Sequence, residues 1–232
     1  MGGLKGEKLL RAWELSRELP EQEAALALLA LAWPSRAMSD WLAMPLGERN
    51  TLLLELRAAT LGRRMEAFAE CPACGALLEF NLDVMELERQ LRAQLAAVEA
   101  DAADGSARAA NTGDLIAARG AENDEHARAI LLARTVATSE TEGSDASAAA
   151  LERLERINAA AEIRVELACP ECPARSVMDL DIAQFLLREV ASAARRLIAE
   201  IHELASAYGW SERAIANMSA WRRAAYLEML GV

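Results

Sequence analysis

Four cysteines carry the residue types and spacing that can do chemistry in this chain: Cys71 and Cys74 in Cys71-Pro-Ala-Cys-Gly75, and Cys169 and Cys172 in Cys169-Pro-Glu-Cys-Pro173. A Cys-x-x-Cys turn presents two thiolates from one tight loop, and two such turns complete the four-sulfur tetrahedron of a structural zinc site. One zinc ion per chain is therefore expected. Between Cys74 and Cys169 lie 94 residues, far more than the roughly 15–20 of a compact ribbon. Loop-closure entropy grows only slowly with length, so this separation is a weak objection. Gly75 lets backbone amides point at sulfur in the first turn. Pro173, at the matching place in the second, lacks an amide hydrogen and is expected to loosen the surroundings of one sulfur. A redox Cys-x-x-Cys would need to open a helix in a βαβ unit, and neither pair is followed by one. Four thiolates also leave no open position for water or substrate, which points to a structural rather than a catalytic ion.

The rest of the chain offers little to an enzyme. His126 and His202 are the two histidines, and they do not form a ligand pair at helical spacing. There is no glycine-rich phosphate loop and no Gly-x-Ser-x-Gly elbow. The expectation is a non-enzymatic protein. Its 36 acidic and 25 basic side chains give a formal charge of −11, whose averaged field repels a phosphate backbone. Around the cysteine pairs Arg63, Arg64, Arg164 and Arg175 are outnumbered by Glu66, Glu70, Glu79, Glu166 and Glu171. General nucleic-acid binding is accordingly disfavoured. The longest apolar run, Ala24 to Trp33, falls well short of the roughly 20 residues a spanning helix needs, so no membrane segment is expected. The N-terminal residues run directly into charged helical sequence without a secretory pattern. A cytoplasmic, reducing location follows, in which thiolate ligands are favoured over disulfides.

The elements that must position the cysteines are read from periodicity. Hydrophobic residues make up 53 % of the 232, aromatics only 4 %, and Ala and Leu dominate, which favours packed helices. Residues 1–63 read as an N-terminal helical region: two helices split at Pro20, a short helix over Asp40–Met44 capped by Ser39, and a helix opening with Pro45 in its first turn. Alternating residues in Met65–Cys71 and Leu78–Asp83 predict a hairpin around the first pair; Ile163–Cys169 and Ser176–Asp181 predict another around the second. Residues 64–83 and 161–182 thus form a zinc-ribbon-like element. Residues 84–160 read as a helical insertion: a helix over Val84–Val98, a loop from 99 to 106, a helix over Asp114–Ala118 capped by Thr112, another from about Asn123 to Val136, and a mobile stretch over 139–147. The C-terminal region, 183–232, begins with a helix from about Ile182 to Tyr208. Phe185, Leu186, Val190, Ala194, Leu197, Ile201 and Leu204 share one of its faces. Two short helices capped by Ser211 and Ser219 follow. The fold class is α+β, mainly α, with a small antiparallel β zinc ribbon built from two Cys-x-x-Cys hairpins.

Tyr208, Trp210, Trp221 and Tyr226 concentrate aromatics in the tail beside Arg222 and Arg223. These six residues read either as a partner-binding surface, since Trp, Tyr and Arg dominate hot spots, or as packing of the short helices onto the long one. The tail His202-Glu-Leu-Ala-Ser-Ala-Tyr-Gly-Trp-Ser-Glu-Arg, with Met218-Ser-Ala-Trp-Arg-Arg-Ala-Ala-Tyr226 after it, resembles the C-terminal signature of the T4-type phage baseplate protein family. That family includes hub assembly factors and has relatives in contractile injection systems. Cys71-Pro-Ala-Cys-Gly75 followed by Leu78-Glu-Phe80, and a second cysteine pair after a helical insertion, are similar to its bacterial members. The resemblance is firmer over residues 163–230 and transfers no catalytic residue. It implies an assembly factor, chaperone or minor structural component of the baseplate hub of a contractile tail, with hub, baseplate or tail-length proteins as partners. On this reading the protein could also be incorporated into the particle. A zinc-ribbon nucleic-acid or transcription accessory protein and a generic helical adaptor with a structural zinc are the alternatives.

Overall fold

Proline placement sets the first helical layer. In the computed structural model, which describes residues 2–102, 107–136 and 144–231, Pro20 lies between α1 (Glu7–Glu18) and α2 (Glu21–Ala32). Its fixed φ starts α2, whose carbonyl ladder begins with Ala24 N–H donating to Pro20 O at 2.8 Å. Ala24 through Leu29 are all buried; a helix apolar all round belongs inside, and α2 is the inner helix of the bundle. After α3 (Met38–Ala43) comes α4 (Leu46–Leu61). Two expected details differ here. Ala37, extended, opens α3 and accepts from Trp41 N–H, so Ser39 is already helical and its hydroxyl faces Asp40 at 3.4 Å. Pro45 stands just before α4 rather than inside it, its carbonyl accepting from Arg49 N–H at 3.0 Å.

The alternating segments fold as two separate antiparallel hairpins. β1 (Arg64–Glu70) pairs with β2 (Leu77–Asp83) in a register that sets Ala67 opposite Phe80. β3 (Arg164–Ala168) pairs with β4 (Arg175–Asp179), with Arg164 opposite Asp179. Met65, Ala67 and Leu78 on the first, and Val165 and Leu167 on the second, turn inward, as the period of two requires. Between the hairpins run α5 (Val84–Ala102), α6 (Thr112–Arg119), α7 (Asp124–Thr135) and α8 (Ser144–Ala159). Of the loop expected at 99–106, residues 99–102 continue α5, and residues 103–106 lie outside the described residues. Asn111, not Thr112, caps α6: Asp114 at the third helical position closes a capping box with it. Thr112 instead receives Arg49 Nη1 at 3.2 Å. Of the stretch expected to be mobile, 139–143 lies outside the described residues, and from Ser144 the chain is α8, in keeping with its run of alanines.

The long helix α9 (Ile182–Tyr208) spans the predicted range. Leu186, Val190, Ala194, Leu197, Ile201 and Leu204 are buried against α1, α2 and α4 in the main core, while Phe185 is only half-buried. Val84, Leu87 and Leu91 of α5 join the same core; Ala107, Val136, Leu154 and Ile157 make a small second one. Ser211 and Ser219 cap α10 (Glu212–Ala216) and α11 (Ala220–Leu230), as their sequence predicts. The fold is mainly helical α+β with two small antiparallel hairpins. Among the described residues no helix is long and apolar enough to cross a membrane.

Candidate metal centre

Each cysteine pair sits at the tip of its hairpin, in the bend joining the two strands. In the first, Cys71 N–H donates to Ala76 O and Gly75 N–H to Cys71 O, both at 2.8 Å. Gly75 adopts φ +74, a conformation costly for any residue with a side chain. In the second, Cys169 N–H donates to Ala174 O at 3.0 Å. The bond corresponding to Gly75 N–H has no donor, because Pro173 has none. Glu171 N–H points instead at Cys169 Sγ, 3.4 Å away. The proline therefore removes one turn bond and leaves the hairpin closure and an amide–sulfur contact in place.

The fold brings the two tips together. Cys71 Sγ lies 3.8 Å from Cys172 Sγ, and Cys74 Sγ 3.7 Å from Cys169 Sγ, so each contact joins one hairpin to the other. All four sulfurs fall within 4.8 Å of one another. A tetrahedral ion with metal–sulfur bonds near 2.3 Å separates its ligands by about 3.8 Å. A disulfide needs about 2.05 Å, and all four cysteines are free. The donor set thus fits a soft ion bound between the two hairpins. Cys71 is buried with Leu78, Val165 and Leu167 in a small apolar cluster, whereas Cys74 is exposed.

Electrostatics favours a cation among these sulfurs once they ionise. The backbone amides of Ala73 and Cys74 pull the Cys71 thiol down to about 7. The Ala76 amide favours a Cys74 thiolate too, but the neighbouring sulfurs, that of Cys172 first and those of Cys169 and Cys71 after it, outweigh it and push Cys74 up to about 12. Cys172 is raised as well: the Ala174 amide favours its thiolate, against burial and the sulfurs of Cys169 and Cys71. Four sulfurs this close cannot all be anionic without a positive ion between them.

The chain matches no protein-family model, no curated protein and no solved structure.

The ribbon is also tied at its root. Arg57 of α4, 3 % exposed, donates to both carboxylate oxygens of Glu189 on α9 at 2.9 and 2.7 Å, and to the carbonyls of Gly62 and Arg64 at 2.6 and 2.7 Å. One guanidinium thus joins the end of α4, the start of β1 and the long helix. No sequence signal pairs Arg57 with Glu189, 132 positions away. Three of the four arginines near the cysteine pairs are engaged with acidic neighbours: Arg63 with Asp83 at 2.6 Å, Arg64 loosely with Glu66 at 3.8 Å, and Arg164 with Glu162 and Asp179. That pairing reduces the positive field they could offer to phosphates.

The aromatic tail divides into two roles. Tyr208 stacks on Trp210 with centroids 4.5 Å apart, and Tyr226 meets both rings edge-on at 5.7 and 4.9 Å. This cluster binds α11 back to α9. Arg223 is buried, donating to Glu200 at 2.6 Å and to Met218 O at 2.6 Å, while Arg222 lies over the Tyr226 ring at 5.9 Å. Trp221 projects furthest, 89 % exposed, with Met229 two turns along the same helix 74 % exposed. His126 accepts from Glu122 N–H at 3.4 Å, far in sequence from the cysteine pairs.

Proposed function

We propose that this chain binds one structural zinc ion through Cys71, Cys74, Cys169 and Cys172 and acts as a non-enzymatic assembly factor or minor component of the baseplate hub of a contractile tail. The observation that carries the metal half is the interhairpin sulfur spacing of 3.7–3.8 Å, the edge length of a four-thiolate tetrahedron. A closed four-sulfur site staples structure and leaves no position for substrate. Zinc is preferred because four thiolates in a tetrahedron suit it and it brings no redox chemistry of its own.

The assembly half rests on the resemblance of residues 163–230 to the baseplate family. It is supported by Trp221 and Met229, a pair of large apolar side chains left in water on the C-terminal helix, the type of residue that anchors protein interfaces. Two experiments separate the halves. Elemental analysis of purified protein should find one zinc per chain; absence of metal defeats the first. Co-expression with hub and tail-length proteins should retain a partner that Trp221→Ser releases; retention of none from that set defeats the second.

A further inference from the structure

The three phenylalanines of the chain, Phe68, Phe80 and Phe185, line one cleft of about 510 Å³ between the two hairpins and the first turns of α9. Aromatics are scarce here, and their convergence from β1, β2 and α9 is not required by the main core, to which Phe185 alone is attached. Phe68 is 61 % exposed; Phe80, Phe185 and Met178 are half-buried. An aromatic floor with an adaptable methionine suits one large apolar side chain of a partner.

Carboxylates give the cleft its sign. Glu66 and Asp179 both line it, highly exposed, with only loose ion pairs to Arg64 at 3.8 Å and Arg164 at 3.6 Å. Pairs this long and this wet hold their charges weakly and yield readily to a better-placed cation. Glu189, also at the cleft, has both oxygens committed to Arg57, and Asp181 accepts from Gln184 N–H at the start of α9. The lining arginine, Arg188, donates to Gln184 at 2.6 Å. The chain as a whole carries −11, so a cationic segment is steered towards it. Guanidinium groups also stack on exposed phenylalanine faces.

We propose that this cleft docks a partner segment in which a large apolar side chain is flanked by arginine or lysine, and that the docking surface exists only while the shared ion holds the two hairpins together. The second clause rests on the metal reading above. The walls come from separate two-stranded sheets whose tips meet through the cysteine cluster and its small apolar neighbourhood; with the ion removed, Arg57 still ties the root of β1 to α9, but no strand pairing fixes one hairpin tip against the other.

The test uses the full chain, its zinc content measured beforehand, and a fluorescein-labelled peptide alternating arginine with leucine and phenylalanine, followed by anisotropy. The loaded chain should bind it saturably and less tightly as salt rises. Phe68→Ser, at an exposed position, should weaken binding about tenfold, a difference readily resolved by titration. The Glu66→Gln, Asp179→Asn double variant should do the same and flatten the salt dependence. Met38→Ser, at an exposed position on α3, should leave it unchanged, and the circular dichroism spectrum should be the same for every variant. Chelation should abolish binding. A zinc-loaded chain that ignores the peptide, binds equally a version with glutamate for arginine, or is insensitive to Phe68→Ser overturns the cleft and leaves the metal site standing. A chelated chain that binds as tightly as the loaded one overturns the coupling, and a chain purified without metal overturns the coupling and the metal reading together.

Discussion

Replacing Cys74 by serine removes one ligand while disturbing almost no packing, because its side chain is exposed, unlike that of Cys71. The consequence can be sized from the small cluster beneath the ion. Leu78, Val165 and Leu167 are its buried aliphatic side chains. At about 1.5–3 kcal/mol each they contribute on the order of 5–9 kcal/mol, an upper bound because the unfolded chain already hides some surface. Structural zinc sites in small peptides supply about 10–16 kcal/mol. The ion therefore outweighs the ribbon's own core, and two isolated two-stranded hairpins are marginal without help. Cys74→Ser, or chelation of the wild type, should open the hairpins without melting the bundle, since Leu186, Val190, Ala194 and Leu197 pack in a core that contains no cysteine. Hydrogen exchange followed by mass spectrometry reads both regions at once. Amides of β3, β4 and the tip halves of β1 and β2 should lose protection while those of α9 keep it; Met65, at the root of β1, belongs to the main core. If the strands stay protected after complete metal removal, the aliphatic cluster suffices and the reasoning is wrong; if α9 opens with them, the separation of the two cores is wrong.

Zinc affinity should fall steeply with acid. Cys74 and Cys172 carry raised thiol pKa values in the ion-free cluster and hold their protons at neutral pH, so binding expels both; below about 7 the Cys71 proton is expelled as well. Competition against a chelator should show affinity dropping about 100-fold per pH unit from Cys74 and Cys172 alone, and more steeply below pH 7; a flat profile refutes thiol ligation. Arg57→Met should cost about 3–5 kcal/mol in urea denaturation, because it strands Glu189 and two backbone carbonyls at the root of β1; a loss below about 1 kcal/mol would mean water replaces the guanidinium. Trp221→Ser should change stability by no more than about 0.5 kcal/mol, whereas Trp210→Ala, which removes the ring between Tyr208 and Tyr226, should cost about 1–3 kcal/mol; thermal melts of both variants check the division.

What the sequence could disclose follows from how local each signal is. The span of α9 was legible because its apolar stripe is unbroken and Asp181 and Gly209 mark its ends. The cysteine turns were legible because two ligands sit three positions apart. α8 was harder: its first turns are alanine and serine, whose pattern has no apolar face until Leu151, and only the fold gives Leu154 and Ile157 something to pack on. The choice of Asn111 over Thr112 as a cap turned on which one Asp114 could reach. The Arg57–Glu189 link and the gathering of the phenylalanines are long-range outcomes with no local trace. In the aromatic tail, composition announced a cluster but not its division, since burial of Arg223 beside exposure of Trp221 depends on how α11 turns against α9.

The unequal turns give the sharpest remaining test of how the site is built. Gly75 combines a left-handed φ with an N–H that donates to Cys71 O; Pro173 offers neither and still permits the Cys169–Ala174 closure. Gly75→Pro must therefore lose a hydrogen bond and force φ from +74 towards about −65°, a change the tight turn cannot absorb. Pro173→Gly has opposing effects: a new donor contributes about 0.5–1.5 kcal/mol, while the freer unfolded chain costs about 0.4–1 kcal/mol. The swap should be nearly neutral in one direction and severe in the other. Zinc competition should show Gly75→Pro releasing metal to a chelator that neither the wild type nor Pro173→Gly yields to. Equal retention by all three would mean that the sulfurs, and not the backbone of the turns, hold the hairpin tips in position.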